Sequence, residues 1–176
     1  MTKAEVAKLL AVLQYAYPNG RIPADDTAIS LWYQMLRDLD CQTVNTAVMG
    51  MVATLKYPPS IADIREAVAR AMAEARGDLD AGQAWRTVYK AIGRYGYYRP
   101  GEARAALGER MWKAIDMVGG WSHLCSTDEI EIVSAQFERR YKAMQEQERY
   151  KTLVPLEARE RMKELAGRAQ RQLEGA

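Results

Sequence analysis

The chain has 176 residues, of which 48% are hydrophobic and 27% are charged, a balance typical of a globular protein rather than a disordered or collagen-like chain. Its 25 Lys and Arg residues nearly equal its 23 Asp and Glu residues, so overall charge does not by itself drive binding to nucleic acid. No apolar run approaches the roughly 20 residues of a membrane span and two cysteines make no disulfide framework, so we expect a soluble protein of the reducing cytosol with no membrane partner.

Helical periodicity predicts four helices in the first part of the chain, because apolar residues recur at positions i, i+3, i+4 and i+7. Residues 60–63 form a capping box at the start of the fourth of these helices. We predict that residues 1–76 are an N-terminal four-helix domain, large enough to fold alone. The apolar stripes are Val6, Leu9, Leu10 and Leu13; Ala28, Leu31, Trp32, Met35, Leu36 and Leu39; Val44, Ala47, Val48, Met51, Val52 and Leu55; and Ile61, Ile64, Val68 and Met72.

The rest of the chain is helical in pattern as well. Three further stripes predict a second helical region over residues 77–150, and Pro155 suits the first turn of a long amphipathic C-terminal helix within residues 151–176. Strand patterns are almost absent, so the predicted fold class is all-α. The three stripes are Trp85, Val88, Tyr89 and Ile92; Leu107, Met111, Ile115 and Val118; and Ile130, Val133, Phe137, Tyr141 and Met144.

Catalytic chemistry finds little support in the sequence. No phosphate-binding Gly-x-x-x-x-Gly-Lys-Ser/Thr motif occurs, so the chain is not a phosphate-loop ATPase. His123 is the single histidine, and with Cys125 and Cys41 it gives fewer ligands than a zinc site normally needs. We therefore expect no catalytic residue, no metal and no cofactor, and we do not expect an enzyme.

A basic and aromatic stretch over residues 86–104 is one candidate binding site. It contains five basic side chains against the single acid Glu102. Arg and Lys can bind phosphates while aromatic rings stack on bases, as in proteins that bind single-stranded nucleic acid. The alternative is a structured loop between helices whose rings pack on their neighbours. The stretch consists of Arg86, Tyr89, Lys90, Arg94, Tyr95, Tyr97, Tyr98, Arg99 and Arg104.

The amphipathic C-terminal helix is the second candidate. A helix of this type can place its apolar side chains in a groove on a partner protein. The alternatives are that it docks on its own domain or stays solvated. Its predicted anchors and orienting charges are Leu156, Arg159, Met162, Lys163, Leu165, Ala169 and Leu173.

Four sequence blocks resemble the phage replicative-helicase loader/inhibitor family. They are MTKAEVAKLL at residues 1–10, YAYPN at 15–19, LWYQML at 31–36 with Asp38, and YPPSIADIRE at 57–66. The last block is the most specific, since it joins a proline pair, a helix cap and the sequence Ile-Ala-x-Ile-Arg-Glu. The resemblance covers about residues 1–70.

The resemblance implies a small helical protein, without its own ATPase, that acts in the cytosol of a bacterial host. Members of the family bind a DnaB-type hexameric replicative helicase, hold it inactive and help to load it at an origin marked by an initiator protein. The N-terminal domain is linked with the initiator and the C-terminal part with the helicase. The family's C-terminal part tends to be disordered when free, whereas here it is longer and helical in pattern, so the helicase contact is assigned to the last helix by position only.

Two functions are therefore expected. The first is a phage DNA-replication protein that binds the helicase, and possible further partners are the initiator and, weakly, single-stranded DNA. The alternative is a replication accessory factor that binds single-stranded nucleic acid through residues 86–104.

Overall fold

The computed structural model describes residues 1–174, and every regular element in that range is an α-helix. The predicted all-α class, with a helical N-terminal part and a C-terminal helix, is confirmed. The helices are α1 (Lys3–Ala16), α2 (Asp26–Leu36), α3 (Cys41–Thr54), α4 (Ile61–Ala75), α5 (Ala81–Tyr95), α6 (Pro100–Asp116), α7 (Gly120–Ser126), α8 (Ile130–Leu153) and α9 (Leu156–Glu174).

The chain divides into two compact units. Unit 1 consists of Met1–Arg76 together with the residues from Arg149 onward, and unit 2 is Gly77–Glu148. The end of α8 and the whole of α9 thus belong to the same unit as α1–α4. Whether residues 1–76, 77–150 and 151–176 act as separate domains stays a prediction.

Unit 1 is built on the four helices that the apolar stripes predict. Helix α1 packs on α2 and α3, and α4 packs on α2 and α3. Burying these stripes removes apolar surface from water, at roughly 25 cal/mol for each Å². The buried residues of this core are Leu9, Leu13, Tyr17, Leu36, Leu39, Val44, Val48, Ile64 and Val68.

Side-chain caps fix where these helices begin. The capping box predicted at Ser60 and Asp63 is present, and Asp25 accepts a hydrogen bond of 2.8 Å from the backbone N–H of Ala28. A further capping box joins Thr2 and Glu5 at the start of α1, which the sequence analysis missed. Each cap satisfies amide groups that have no partner within the helix and contributes about 1 kcal/mol.

Unit 2 has a core of its own, formed by α5 to α8. The indole of Trp121 stacks on that of Trp112 at 5.7 Å between ring centroids, and its Nε1 donates a 3.0 Å hydrogen bond to the carbonyl oxygen of Gly96. The buried residues of this core are Ala84, Val88, Ala91, Ala103, Leu107, Ala114, Ile115, Val118, Trp121, Leu124, Val133, Phe137 and Tyr141.

Three elements differ from those that the periodicity predicts. Helix α7 is additional, since seven residues are too few to show a clear stripe. Helix α6 begins at Pro100, where a proline is tolerated in the first turn, and is interrupted at Gly108. Helix α8 continues through the polar stretch 145–151, because Gln, Glu, Arg and Lys are good helix formers.

Gly119 and Gly93 provide a matched test of backbone conformation in unit 2. Gly119 has φ +108°, and a Cβ there would lie 2.6 Å from Cδ2 of His123, whereas a Cβ on Gly93 would meet nothing within 4 Å. We expect Gly119→Ala to lower the free energy of unfolding by about 1–3 kcal/mol. Gly93→Ala, within helix α5, should instead raise it by up to about 1 kcal/mol. Urea unfolding measures both, and equal effects would contradict the assignment.

Candidate partner-binding helix and its anchor

The apolar side chains of α9 face solvent rather than a core. Met162 is 53% exposed, Leu165 is 60% exposed and Leu173 is 81% exposed, while Ala169 is exposed as well. At 3.6 residues per turn these four residues share one side of the helix. A row of exposed apolar side chains of this kind is typical of a surface that binds a partner. We call these four residues the α9 stripe.

The remaining residues predicted for this site lie elsewhere on α9. Leu156 precedes Leu165 by nine positions, which is two and a half turns, so it lies on the opposite side of the helix. Arg159 is half-buried, and its Nε donates a 3.0 Å hydrogen bond to the carbonyl oxygen of Val154. Lys163 is exposed. The structure therefore places Leu156 and Arg159 at the root of α9 and leaves Lys163 on its surface.

Asp38 holds the start of α9 on unit 1. Its Oδ2 accepts a 3.1 Å hydrogen bond from the backbone N–H of Leu156, and a guanidinium nitrogen of Arg159 lies 4.0 Å from the same oxygen. A carboxylate at a helix N-terminus satisfies a free amide and interacts favourably with the helix dipole. Asp38 follows α2 in the chain, so a residue of the N-terminal segment caps the C-terminal helix.

Arg65 holds Asp38 in turn. This side chain is buried, and its two terminal nitrogens each donate a 2.9 Å hydrogen bond to one oxygen of Asp38. Its Nε donates a 2.8 Å hydrogen bond to the carbonyl oxygen of Leu153, and one terminal nitrogen also donates to the carbonyl oxygen of Met35. One guanidinium thus joins α4 to the ends of α2 and α8. We call Arg65 and Asp38 the anchor pair.

The charge of the anchor pair is stable at neutral pH. Burial alone raises the pKa of Asp38, but the hydrogen bonds and positive charge of Arg65 outweigh burial and lower this pKa below its usual value. The hydrogen bond from Leu156 lowers it further. Asp38 is therefore ionised when the protein is folded, as a carboxylate that accepts a bidentate pair and a helix cap should be.

Two ion pairs at the surface flank the anchor pair. Arg37 contacts Glu157 at the start of α9, and Arg149 lies 2.6 Å from Glu66. Pairs this exposed contribute about 0–1 kcal/mol each, because water and salt screen them. The buried anchor pair is therefore the main polar connection between the N-terminal segment and α9.

The basic and aromatic stretch is only partly free in the structure. Tyr95 is half-buried, with the guanidinium groups of Arg94 and Arg99 at 5.4 and 5.7 Å from its ring centre. Arg99 donates a 3.2 Å hydrogen bond to the carbonyl oxygen of Tyr95 and another to that of Arg94. Arg104 pairs with Glu109 at 2.9 Å. The remaining predicted residues are exposed: Arg86, Tyr89, Lys90, Arg94, Tyr97 and Tyr98.

Other chemistry has no evident site among residues 1–174. Burial raises the pKa of Cys125, and burial together with the nearby charge of Glu5 raises that of Cys41, so both are protonated thiols at neutral pH. No group of three or more His, Cys, Asp or Glu residues in this range could hold a metal ion. None of the helices described has both the length and the apolar character needed to cross a bilayer.

Comparison with known families identifies the N-terminal segment. Residues 1–65 match the N-terminal domain of a family of phage helicase loader/inhibitor proteins. This segment is a domain of that family. We call residues 1–65 the loader/inhibitor domain. The resemblance to phage replicative-helicase loaders and inhibitors is confirmed over these residues, and both members of the anchor pair lie within the match. No curated protein and no solved structure matches the chain.

The match to the loader/inhibitor domain carries function at the level of the family. Proteins of this family interact with a phage or host replicative helicase as loaders or inhibitors, and the family is a protein-binding one without catalysis. The match ends at Arg65, so α9 and unit 2 lie outside it. The sequence analysis quoted Asp38 and Arg65 within the family blocks but did not pair them. Their separation of 27 residues gives no periodic signal, and a buried arginine in an otherwise apolar stripe was the available clue.

Proposed function

We propose that this chain is a phage DNA-replication protein that binds a DnaB-type hexameric helicase through the α9 stripe. The observation that carries the proposal is an exposed apolar helix anchored to a unit that contains a loader/inhibitor domain. We further propose that the protein acts without catalysis, in the host cytosol, by holding the helicase inactive or delivering it to an origin.

The α9 stripe supports a helix-in-groove mode of binding. Three large apolar side chains, those of Met162, Leu165 and Leu173, are more than half exposed over three turns of helix. Burying such anchors in a groove is the usual source of affinity for an amphipathic helix. Lys163, which is exposed beside them, would set orientation through charge, whereas Arg159 belongs to the anchor and is not proposed to contact the helicase.

The anchor pair supports the same mechanism by preparing α9 for binding. A helix that is already formed and held at its root loses less conformational freedom on docking than a disordered tail does. Inhibition then requires that the chain bind one state of the helicase more tightly than another. An origin-binding initiator would bind the loader/inhibitor domain, as the family suggests, and would leave α9 free for the helicase.

Size exclusion with light scattering tests the proposal. The full chain is mixed with the DnaB-type helicase of the host, with and without ATP, and compared with a variant ending at Glu164. This end point removes Leu165, Ala169 and Leu173 and retains Leu153 and Leu156, the partners of the anchor pair. We expect the full chain to co-elute with the hexamer and the shortened chain not to do so.

Each result of that experiment has a clear reading. Co-elution that persists with the variant ending at Glu164 would contradict the α9 stripe as the contact and move the site to another part of the chain. Failure of the full chain to form a complex under either nucleotide condition would contradict helicase binding for that helicase. A urea unfolding curve of the shortened chain that matches the full chain ensures that loss of binding is not loss of folding.

A further inference from the structure

Helix α5 and the loop after it present a set of exposed basic and aromatic side chains. Arg86, Lys90 and Arg94 form no ion pair within residues 1–174, and α5 itself contains no Asp or Glu. Their positive charge is therefore not neutralised by the helix that carries them. We call the following six residues the basic-aromatic face: Arg86, Tyr89, Lys90, Arg94, Tyr97 and Tyr98.

The three cations of this face lie in one row. Arg86, Lys90 and Arg94 are spaced four residues apart, so they follow each other at about 6 Å along one side of the helix. The row is thus about 12 Å long and runs toward the loop that carries Tyr97 and Tyr98. A row of evenly spaced cations matches a polymer that bears repeated negative charges better than it matches a single acidic group.

The aromatic rings of the face are exposed rather than packed. Tyr98 is 91% exposed, and Tyr97 is 54% exposed and meets Tyr98 edge to face at 5.4 Å between ring centres. Tyr89, on α5 between the first two cations, is 57% exposed. Exposed rings next to cations can stack on bases while the cations bind phosphates.

The loop that carries Tyr97 and Tyr98 is held in place from below. The indole of Trp121 binds the carbonyl oxygen of Gly96, and Arg99 binds the carbonyl oxygens of Arg94 and Tyr95. These contacts use the polar groups of Trp121 and Arg99 for support. A loop fixed in this way presents its rings at a small cost in conformational entropy.

We propose that the basic-aromatic face binds single-stranded nucleic acid. Arg86, Lys90 and Arg94 contact successive phosphates, and Tyr97 and Tyr98 stack on bases at the end of the row. Tyr95 and Arg99, which the sequence analysis grouped with them, are supporting residues and do not contact the ligand. The proposal concerns unit 2 and does not depend on helicase binding by α9.

Fluorescence anisotropy of the full chain with a labelled thymidine oligonucleotide of about 16 nucleotides tests this proposal. Three phosphate contacts on a single strand predict that affinity falls roughly 20-fold between about 50 and 200 mM salt. The double variant Arg86→Glu with Lys90→Glu should lose most of the affinity and most of this salt dependence. Its matched control is Arg139→Glu with Arg140→Glu, which changes net charge equally at exposed positions of α8 and should bind nearly as the parent does.

Tyr98→Ala separates stacking from charge. We expect this variant to bind roughly 5- to 150-fold more weakly, with the salt dependence unchanged, because the lost contact is to a base. Circular dichroism that matches the parent establishes that each variant is folded, as exposed positions allow.

Several results would overturn the proposal. Equal losses in the two double variants would mean that net charge alone matters and would remove the site from α5. A duplex of the same length that binds as tightly as the single strand, or a Tyr98→Ala variant that binds like the parent, would refute stacking. Absence of binding at low salt would refute the proposal entirely, and full displacement by polyglutamate at equal charge would reassign the face to acidic proteins.

Discussion

Leu165→Asp is expected to weaken binding to a DnaB-type helicase by about 10- to 100-fold while leaving the folding of the chain intact. Burial of one leucine side chain contributes roughly 1.5–3 kcal/mol, and a charge in an apolar groove adds a desolvation cost. Because Leu165 is 60% exposed in the free chain, its replacement should change the free energy of unfolding by less than about 0.5 kcal/mol. Titration calorimetry with the hexamer measures the first effect and urea unfolding the second.

Gly167→Asp is the matched control for this change. It adds the same charge to the same helix, two positions away and hence more than half a turn round, and its new Cβ would meet nothing within 4 Å. The control should bind the helicase as the parent does, and the parent complex should depend only weakly on salt. If both variants lose affinity equally, charge on α9 matters rather than the α9 stripe, and the helix-in-groove mechanism is wrong.

Arg65→Ala is expected to destabilise unit 1 by about 3–5 kcal/mol. The substitution leaves the buried carboxylate of Asp38 without its bidentate partner and removes the donor to the carbonyl oxygen of Leu153. Breaking a buried pair by deleting one member costs this much because the other charge stays out of water. The loss is a large part of the roughly 5–15 kcal/mol that holds an ordinary domain together, so thermal and urea unfolding should both show it clearly.

A paired substitution distinguishes a charge effect from simple loss of packing. Arg65→Met combined with Asp38→Leu removes both charges, so it should recover a substantial part of the stability lost in Arg65→Ala. It also removes the cap on α9, so the backbone amide of Leu156 should exchange hydrogen faster than in the parent while the core of α1–α4 stays protected. If exchange at the start of α9 is unchanged, Asp38 does not anchor this helix.

The anchor pair also predicts a pH dependence of stability. The pKa of Asp38 is lower in the folded chain than its usual value, so the folded state binds fewer protons at this site than the unfolded state does. Its contribution is present above the usual aspartate pKa and is lost as pH falls through the lower, folded value. The stability difference between the parent and Asp38→Asn should therefore be largest near neutral pH and shrink below about pH 4. A difference that does not change with pH would contradict the role of charge.

Local patterns in the sequence were sufficient to predict the helices of unit 1. Each of α1–α4 carries an apolar stripe at helical spacing, and Ser60 with Asp63 marks the start of α4 through contacts only three residues apart. Such signals depend on the chain's own neighbours, so they survive without knowledge of the fold. The blocks that resemble helicase loaders and inhibitors lie in the same helices, which is why residues 1–65 could be recognised early.

The candidate sites were predicted as sets of residues, and the structure sorts the members of each set by their contacts. Arg99 and Tyr95 have the composition of a nucleic-acid site, yet they support the loop that carries Tyr97 and Tyr98. Leu156 and Arg159 look like part of an amphipathic surface, yet they form the root of α9. Composition and spacing do not say which side chain a neighbouring carbonyl or carboxylate will use.

The sequence by itself determined that this protein is all-α, that its N-terminal segment is of the helicase loader and inhibitor type, and that α9 is amphipathic. Those properties follow from spacing within single helices and from contiguous blocks of residues. Only the tertiary structure decided that the C-terminal helix is anchored to the N-terminal unit through Asp38 and Arg65. Ion pairing depends on distance in space, and residues separated by 27 and 118 positions become neighbours only when the helices have packed.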